Sequence, residues 1–488
     1  ADQYLQAGKT VEIPILISDA LDVLAFELTL SYDSNVFSPP ATGNVITASS
    51  ASGGLAFVVN SSQPGQIVIS GSSTSALSSG DGSIALLNLQ VKADAEFGST
   101  VIDLVSAEFN EGAISVSLND AAITILPPSF QVLNVRELPN GLALQLSEAP
   151  DLDVFNLYDG PDVSVDQADL SLVDVSGRQV ALSAHWDEIS RELYLLSGSA
   201  LAAGDYTLAI DSRADGLVTA SSGEWLDGNA DGTSGDGFSY SFTRSRSAYS
   251  LSIADTARGA GQELSINGAG NFDPVTGALL EASKGIPVYL SSAEAVMSLS
   301  GSFSFDHQLL VDGQLVKGND LPDDWAINID LSGGDGTIGY EASGTTAISG
   351  NELELFRFQS VITADAAPAS NGGIDNGLYG SSTLIQATIQ ADELTAIEFE
   401  VDAGLIALAY SGDATGNGTL SSFDASMVQR VVVALDSGFD VFDDLNPILI
   451  GDTTGNGTLS SLDASRIQQQ VVDLDVNSFP DVTELLIS

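Results

Sequence analysis

Oxygen-bearing side chains recur at one spacing twice near the C-terminus, and calcium coordination is the chemistry that spacing fits. In Gly412–Ser426, Asp413, Thr415 and Asn417 occupy positions 1, 3 and 5 of a loop, Thr419 offers its carbonyl at position 7, and Asp424 returns a carboxylate at position 12. Gly451–Ser465 repeats the phrase 39 residues on, with Asp452, Thr454, Asn456, Thr458 and Asp463, and differs only at Ala414/Thr453 and Phe423/Leu462. Calcium is a hard ion that takes six to eight oxygens from a flexible loop, and Gly418 and Gly457 at position 6 allow the sharp turn such a loop needs. Leu420 and Leu459 at position 8 would anchor each loop in a small core. With two carboxylates per loop, the affinity should lie toward the weak, extracellular end, roughly 0.1–1 mM. A third stretch begins in the same way, with oxygens at Asp227, Asn229 and Asp231 and a glycine at position 6, but position 12 is Phe238 and no helical pattern follows. A bound calcium and an acidic glycine-rich turn both remain open there.

Few other residues offer chemistry. His185 and His307 lie in unrelated segments with no nucleophile, base or zinc partner at motif spacing. Carboxylates are too abundant for any pair to stand out as a glycosidase acid and base. The glycines of 333–336 precede no helix, so they do not form a phosphate loop. Trp186, Trp225 and Trp325 read as core or edge packing, not as a sugar-stacking row. The chain therefore reads as a non-enzyme.

Helices must position the two loops, and the pattern predicts them over 422–433 and 461–472. The rest of the chain is β-like. Val11–Ile17, Phe26–Tyr32, Gly65–Ser70 and Ile84–Val91 alternate apolar and polar residues, which predicts a β-sandwich over 1–126. Pro14 cannot donate to a ladder, so its strand must be an edge or carry a bulge. Pro127-Pro128 then punctuates the chain, and Leu142–Leu146, Leu193–Leu196 and Tyr206–Ile210 predict a second sandwich over 127–243. Thr243–Ser247, with Arg244 and Arg246, reads as a solvated connector. From 248 to 410 the first pattern returns: Ile286-Pro-Val matches Ile13-Pro-Ile and Phe305-Asp306 matches Tyr32-Asp33, both at an offset of 273, and Ala364-Asp-Ala366 answers Ala93-Asp-Ala95. This is a domain duplication with insertions at 311–322 and 368–378. The loop–helix pair fills 411–488 and follows with almost no linker, so it should pack against its neighbour.

Composition limits the partners. At 488 residues, with 44% hydrophobic and 16% charged residues, the chain is globular and has room for three or four domains. Sixty-six acidic residues against 14 basic ones give a formal charge of −52, which repels nucleic acid and anionic membrane and attracts divalent cations. Zero cysteines exclude disulfides and thiolate metal sites. No apolar run reaches a membrane-spanning length.

The paired loop–helix phrases resemble dockerin modules, which carry Asp at position 12. The order of phrases in 1–126 resembles a cohesin, the module that receives dockerins: Leu30-Ser-Tyr-Asp33, Ser79-Gly-Asp-Gly82, Leu89–Ala95 and Gly98-Ser-Thr100. Residues 127–243 resemble bacterial immunoglobulin-like domains. The resemblance implies a mainly β chain of serial sandwiches (cohesin-like, immunoglobulin-like, cohesin-like) ending in a small helical calcium-binding dockerin. For the dockerin it implies partner-reading residues at Ser422, Phe423, Gln429 and Arg430 and again at Ser461, Leu462, Gln468 and Gln469. It implies a secreted or cell-surface protein whose partners are proteins. These are either further copies of itself, joined head to tail into a calcium-dependent fibre, or other dockerin-bearing proteins collected as on a polysaccharide-degrading scaffold. A carbohydrate-binding adhesin is the alternative from a different class.

Overall fold

The computed structural model describes residues 3–49, 54–77, 81–127, 129–161, 168–214, 216–245, 247–268, 270–273, 278–334, 336–366, 378–391, 399–472, 474 and 479. Ser79, Gly80, Pro128, Arg246 and all of the 368–378 insertion except Leu378 lie outside the described residues. The protein is mainly β, with 46% strand against 8% helix. It divides into two compact units, Ala1–Ser129 and Phe130–Ser488. Among the described residues no helix is long and apolar enough to cross a membrane.

In the first unit the period-2 pattern decides which side of each strand faces inward. Ala25–Tyr32 buries Phe26, Leu28, Leu30 and Tyr32 and exposes Glu27, while Gln66–Ser72 buries Ile67 and Ile69. These strands sit in a six-stranded sheet ordered Gln3–Gln6, Ala121–Leu126, Gly98–Phe109, Ala25–Tyr32, Gln66–Ser72, Ala56–Asn60. A four-stranded sheet, built on Gly82–Val91, supplies Ile84, Leu87, Leu89 and Val91 to the same core. Each such side chain contributes about 1.5–3 kcal/mol relative to exposure. The Pro14 strand, Thr10–Ile17, is an edge strand with a bulge at Ile15/Leu16, so it meets both conditions the proline allows.

The second unit opens with a sandwich of two antiparallel sheets. One is ordered Val132–Leu138, Gly141–Leu146, Glu192–Leu196, Ser183–Asp187, and the other Leu170–Asp174, Gly204–Ile210, Phe238–Arg244. Leu144, Leu193, Leu195 and Leu208 fill the space between them. Arg244 departs from the solvated connector expected there. Its side chain is only 10% exposed and makes a two-armed ion pair with Glu400, one arm at 2.9 Å, because the strand runs through it into the neighbouring sheet region.

The described residues between 249 and 408 form a nine-stranded sheet around the long strands Ile286–Phe305 and Thr337–Ile362. One local feature repeats from the first unit. Asp33 O accepts from Val36 N and Phe37 N while Asp33 Oδ1 caps Asn35 N at 2.8 Å, and Asp306 O accepts from Leu309 N and Leu310 N while Asp306 Oδ1 caps Gln308 N at 2.8 Å.

Among the described residues three α-helices follow, α1 (Ser422–Val432), α2 (Pro447–Gly451) and α3 (Ser461–Val471). The expected helices start where predicted and stop one residue sooner. The short α2 escaped the periodicity, although Asn446 as its cap and Pro447 in its first turn are ordinary start signals. Ala425, Met427, Val428, Ala464 and Ile467 pack in one cluster with Leu138 and Tyr194 from the preceding sandwich and Leu384, Leu405 and Ala407 from the nine-stranded sheet. The segment between α1 and α2 also binds the sandwich through its backbone: Leu157 N and Tyr158 N donate to Asp443 O, and Ala184 N donates to Asp444 O. Gly160 N donates to Asp440 Oδ1.

Candidate metal centres and docking face

In each loop a threonine hydroxyl brings the two aspartate carboxylates together. In the first, Thr415 Oγ1 lies 3.2 Å from Asp413 Oδ1 and 2.7 Å from Asp424 Oδ1, so one hydroxyl bridges the two carboxylates. Asp413 also accepts from Asn417 N and Gly418 N, and Gly418 has the positive φ of +76° that the turn requires. Asn417 Oδ1 accepts from Thr419 N and Thr419 Oγ1. Asp424 has two tasks. Its Oδ1 faces the loop, while its Oδ2 accepts from Ser421 N and Oγ in a capping box that starts α1.

The second loop copies this arrangement. Thr454 Oγ1 lies 3.1 Å from Asp452 Oδ1 and 2.8 Å from Asp463 Oδ1, Asp463 Oδ2 caps α3 through Ser460, and Asn456 Oδ1 accepts from Thr458. Asp413, Asp424, Asp452 and Asp463 are all buried. Burial pushes the carboxyls of Asp413 and Asp452 up from the ordinary range, against the donors that bind them. Among the described residues no Lys or Arg pairs with any of the four. Two buried carboxylates held this close need a cation or protons to offset them. The donor set of carboxylate, hydroxyl, amide and carbonyl oxygens fits calcium.

In the third stretch, carboxylate oxygens of Asp227, Asp231 and Asp236 lie within 4.8 Å of one another. Asp227 is buried and accepts from Gly232 N and Gln131 Nε2, while Asn229 Nδ2 donates to Asp236 Oδ2 at 3.0 Å. The spacing rule missed Asp236, because it looks to position 12 and the chain turns back two residues earlier to begin Phe238–Arg244.

The expected partner-reading residues lie on α1 and α3. Ser422, Phe423, Gln429, Ser461, Leu462 and Gln468 are exposed, and Arg430 and Gln469 partly so. Phe423 is 59% and Leu462 50% exposed, so neither fills the core. Arg430 is already engaged, with Nε 2.5 Å from Asp436 Oδ2. Val433, Leu435, Val472 and Leu474 are exposed as well, and they stand at the same 39-residue offset. Carrying the repeat past its most similar stretch finds them. His185 is a half-buried structural residue, bonded to Ser382 Oγ at 3.0 Å and held down to about 4 by desolvation. Trp325 is buried and donates to Thr346 O, while Trp225 is exposed beside the Asp227 loop.

Residues 2–125 match the family model of the cohesin domain. The first unit carries a cohesin domain. Solved structures similar to this part of the chain include a non-cellulosomal cohesin from the archaeon Archaeoglobus fulgidus, at 21% identity over 26% of this chain and 86% of that one, TM-score 0.22. A cohesin module from a Clostridium perfringens family 33 glycoside hydrolase gives 21% over 26% and 91%, TM-score 0.22. A type I cohesin–dockerin complex from Clostridium thermocellum gives 19% over 26% and 90%, TM-score 0.22. No curated protein matches the chain. The cohesin domain is a non-catalytic structural module, and its outer sheet face exposes Val58, Val101 and Val105.

Proposed function

We propose that the chain is a secreted, non-catalytic structural protein that assembles head to tail, the α1–α3 face of one copy seating on the cohesin domain of the next. The observation that carries this reading is the presence in one chain of a cohesin domain and of two loop–helix repeats that present apolar residues in register: Phe423, Val433 and Leu435, then Leu462, Val472 and Leu474. In this reading 411–488 is a dockerin, 127–243 an immunoglobulin-like sandwich, and 248–410 a second cohesin-like domain. The turn at Asp306, built like the one at Asp33, supports the last assignment.

Asp413, Thr415, Asn417, Asp424 and the carbonyl of Thr419 would hold one calcium. Asp452, Thr454, Asn456, Asp463 and the carbonyl of Thr458 would hold another, and Asp227, Asn229 and Asp231, joined by Asp236, a third. Bound there, calcium offsets the paired carboxylates and fixes the loops from which α1 and α3 start. Recognition then rests on Phe423 and Leu462 as apolar anchors, with Ser422, Gln429, Ser461, Gln468 and Gln469 around them. Arg430 contributes less, because Asp436 already binds it. The exposed valines of the cohesin domain's six-stranded sheet are the facing surface.

A head-to-tail contact is heterologous, so it makes a ring when its rotation closes and a fibre when it does not. Copies carrying −52 repel one another, and salt and bound calcium reduce that repulsion. The test mixes residues 1–129 with residues 130–488, the two compact units. A calcium-dependent complex at micromolar concentration supports self-assembly. Indifference overturns it, in favour of a scaffold that collects other dockerin-bearing proteins.

A further inference from the structure

We propose that Tyr379 is a positioning residue for the first loop, and that it links calcium occupancy there to the seating of α1 and α3 on the preceding sheet. The inference rests on the calcium reading of the loops. Tyr379 lies in the turn that leads into the strand Ser382–Ala391, 34 residues before Asp413. Its hydroxyl donates to Asp413 Oδ2 at 2.6 Å and accepts from Tyr410 N at 3.2 Å, where the chain leaves the strand Gly404–Leu408 for the loop. Its ring lies 5.8 Å from that of Tyr410 and 6.4 Å from that of Phe442, between α1 and α2. One side chain thus touches the sheet, the entry to the loop and the segment joining the helices.

The consequence falls on Asp413. Two donors, Tyr379 Oη and Gly418 N at 2.7 Å, hold Oδ2. Oδ1 is left facing Thr415 Oγ1 and, through it, Asp424 Oδ1. A hydrogen bond from outside the coordination shell that fixes a ligand's rotamer raises metal affinity, and losing one costs about 10–100-fold.

Among the described residues the second loop has no equivalent bond. Asp452 accepts from Thr454 Oγ1, Gly455 N and Asn456 N on Oδ1 and from Gly457 N on Oδ2, all within its own loop. The sheet meets that loop at its main chain, where Asn267 Nδ2 donates to Asp452 O at 2.9 Å. Near-identical loops therefore have unequal support. By reciprocity, a contact that raises calcium affinity in the first loop is itself strengthened when calcium binds.

The experiment titrates calcium chloride into the calcium-stripped full chain by calorimetry, comparing wild type with Tyr379→Phe, which keeps the ring and removes only the hydroxyl. Melting of both proteins is followed in chelator and in calcium. We expect Tyr379→Phe to weaken one class of site about tenfold, to leave the others unchanged, and to shrink the rise in melting temperature that calcium gives. Asp413→Asn should abolish the same class, and adding Tyr379→Phe to it should change nothing further. Equal weakening of all classes, no weakening, or the same loss of melting temperature with and without calcium would overturn the proposal and leave Tyr379 a packing residue. A wild-type chain that binds no calcium would instead overturn the reading of the loops, and this inference with it.

Discussion

Loop 413–424 grows out of the strand Gly404–Leu408 and is held by a side chain of the sheet it leaves, whereas loop 452–463 grows out of α2 and is touched at its backbone by Asn267. The glycines at position 4 show the same division. A side chain on Gly416 would meet Val441 at 2.4 Å, within the helical segment itself, while one on Gly455 would meet the carbonyl of Asn267 at 2.0 Å, in the neighbouring sheet region. Ligand spacing is written locally and copies faithfully. What supports each copy is set by the surface it lands on.

The largest expected effect separates the two loops. In saturating calcium, Asp452→Ala should lower unfolding stability by about 3 kcal/mol, the linkage lost at a hundredfold excess over Kd. Asp413→Ala should cost about 1–3 kcal/mol more, because it also strips the acceptor from the Tyr379 hydroxyl, which lies outside the loop. Urea denaturation measures both, and equal losses would break the asymmetry.

A pH dependence should set the second unit apart from the cohesin domain. Burial pushes Asp255 and Asp444 up to about 7 and Asp443 up to about 6, with neighbouring Asp443 and Asp153 adding to the rise at Asp444 and Asp440 and Asp159 to that at Asp443. The folded chain then holds protons that the unfolded chain has released. Stability is therefore full below about pH 4 and falls as pH rises through 7, by several kcal/mol in all. His185, held down to about 4, acts the other way as pH falls below about 6.5, but it is one group against several raised carboxyls, Asp402, Asp413 and Asp452 among them. Urea melts in chelator from pH 4 to 8 should show the fall in residues 130–488 and not in residues 1–129.

A smaller effect belongs to Asn267→Ala, which removes the bond to the Asp452 carbonyl and should cost about 1 kcal/mol in the same denaturation assay. The smallest belongs to Phe423→Ala and Leu462→Ala. Both side chains are exposed, so each change should move stability by less than about 0.5 kcal/mol while weakening the association of copies. A large loss of stability at either would place it in the core and remove it from the docking face.

The sequence made the loops, the starts of α1 and α3 and the alternating strands legible, because each depends on residues a few positions apart. The edge position of the Pro14 strand was legible for the same reason, since a missing amide donor is a local fact. Asp236 was missed because a motif register ends where its template ends. Tyr379 was missed because nothing in its own surroundings marks it, and its partner lies 34 residues away across a strand pair. The joining of 130–488 into one unit depends on Leu138, Tyr194, Leu384 and Ile467 meeting in one cluster, which no periodicity encodes. Arg244 looked like a linker residue for a similar reason, since Glu400 lies 156 residues further on.

Sedimentation velocity of the intact chain, first in calcium at moderate salt and then in chelator, tests head-to-tail assembly most directly. The account predicts boundaries that quicken with protein concentration in calcium, collapse to a single slow species in chelator, and stay slow in calcium for a chain carrying Phe423→Ala and Leu462→Ala together. A wild-type chain that sediments as one slow species in both conditions would contradict it.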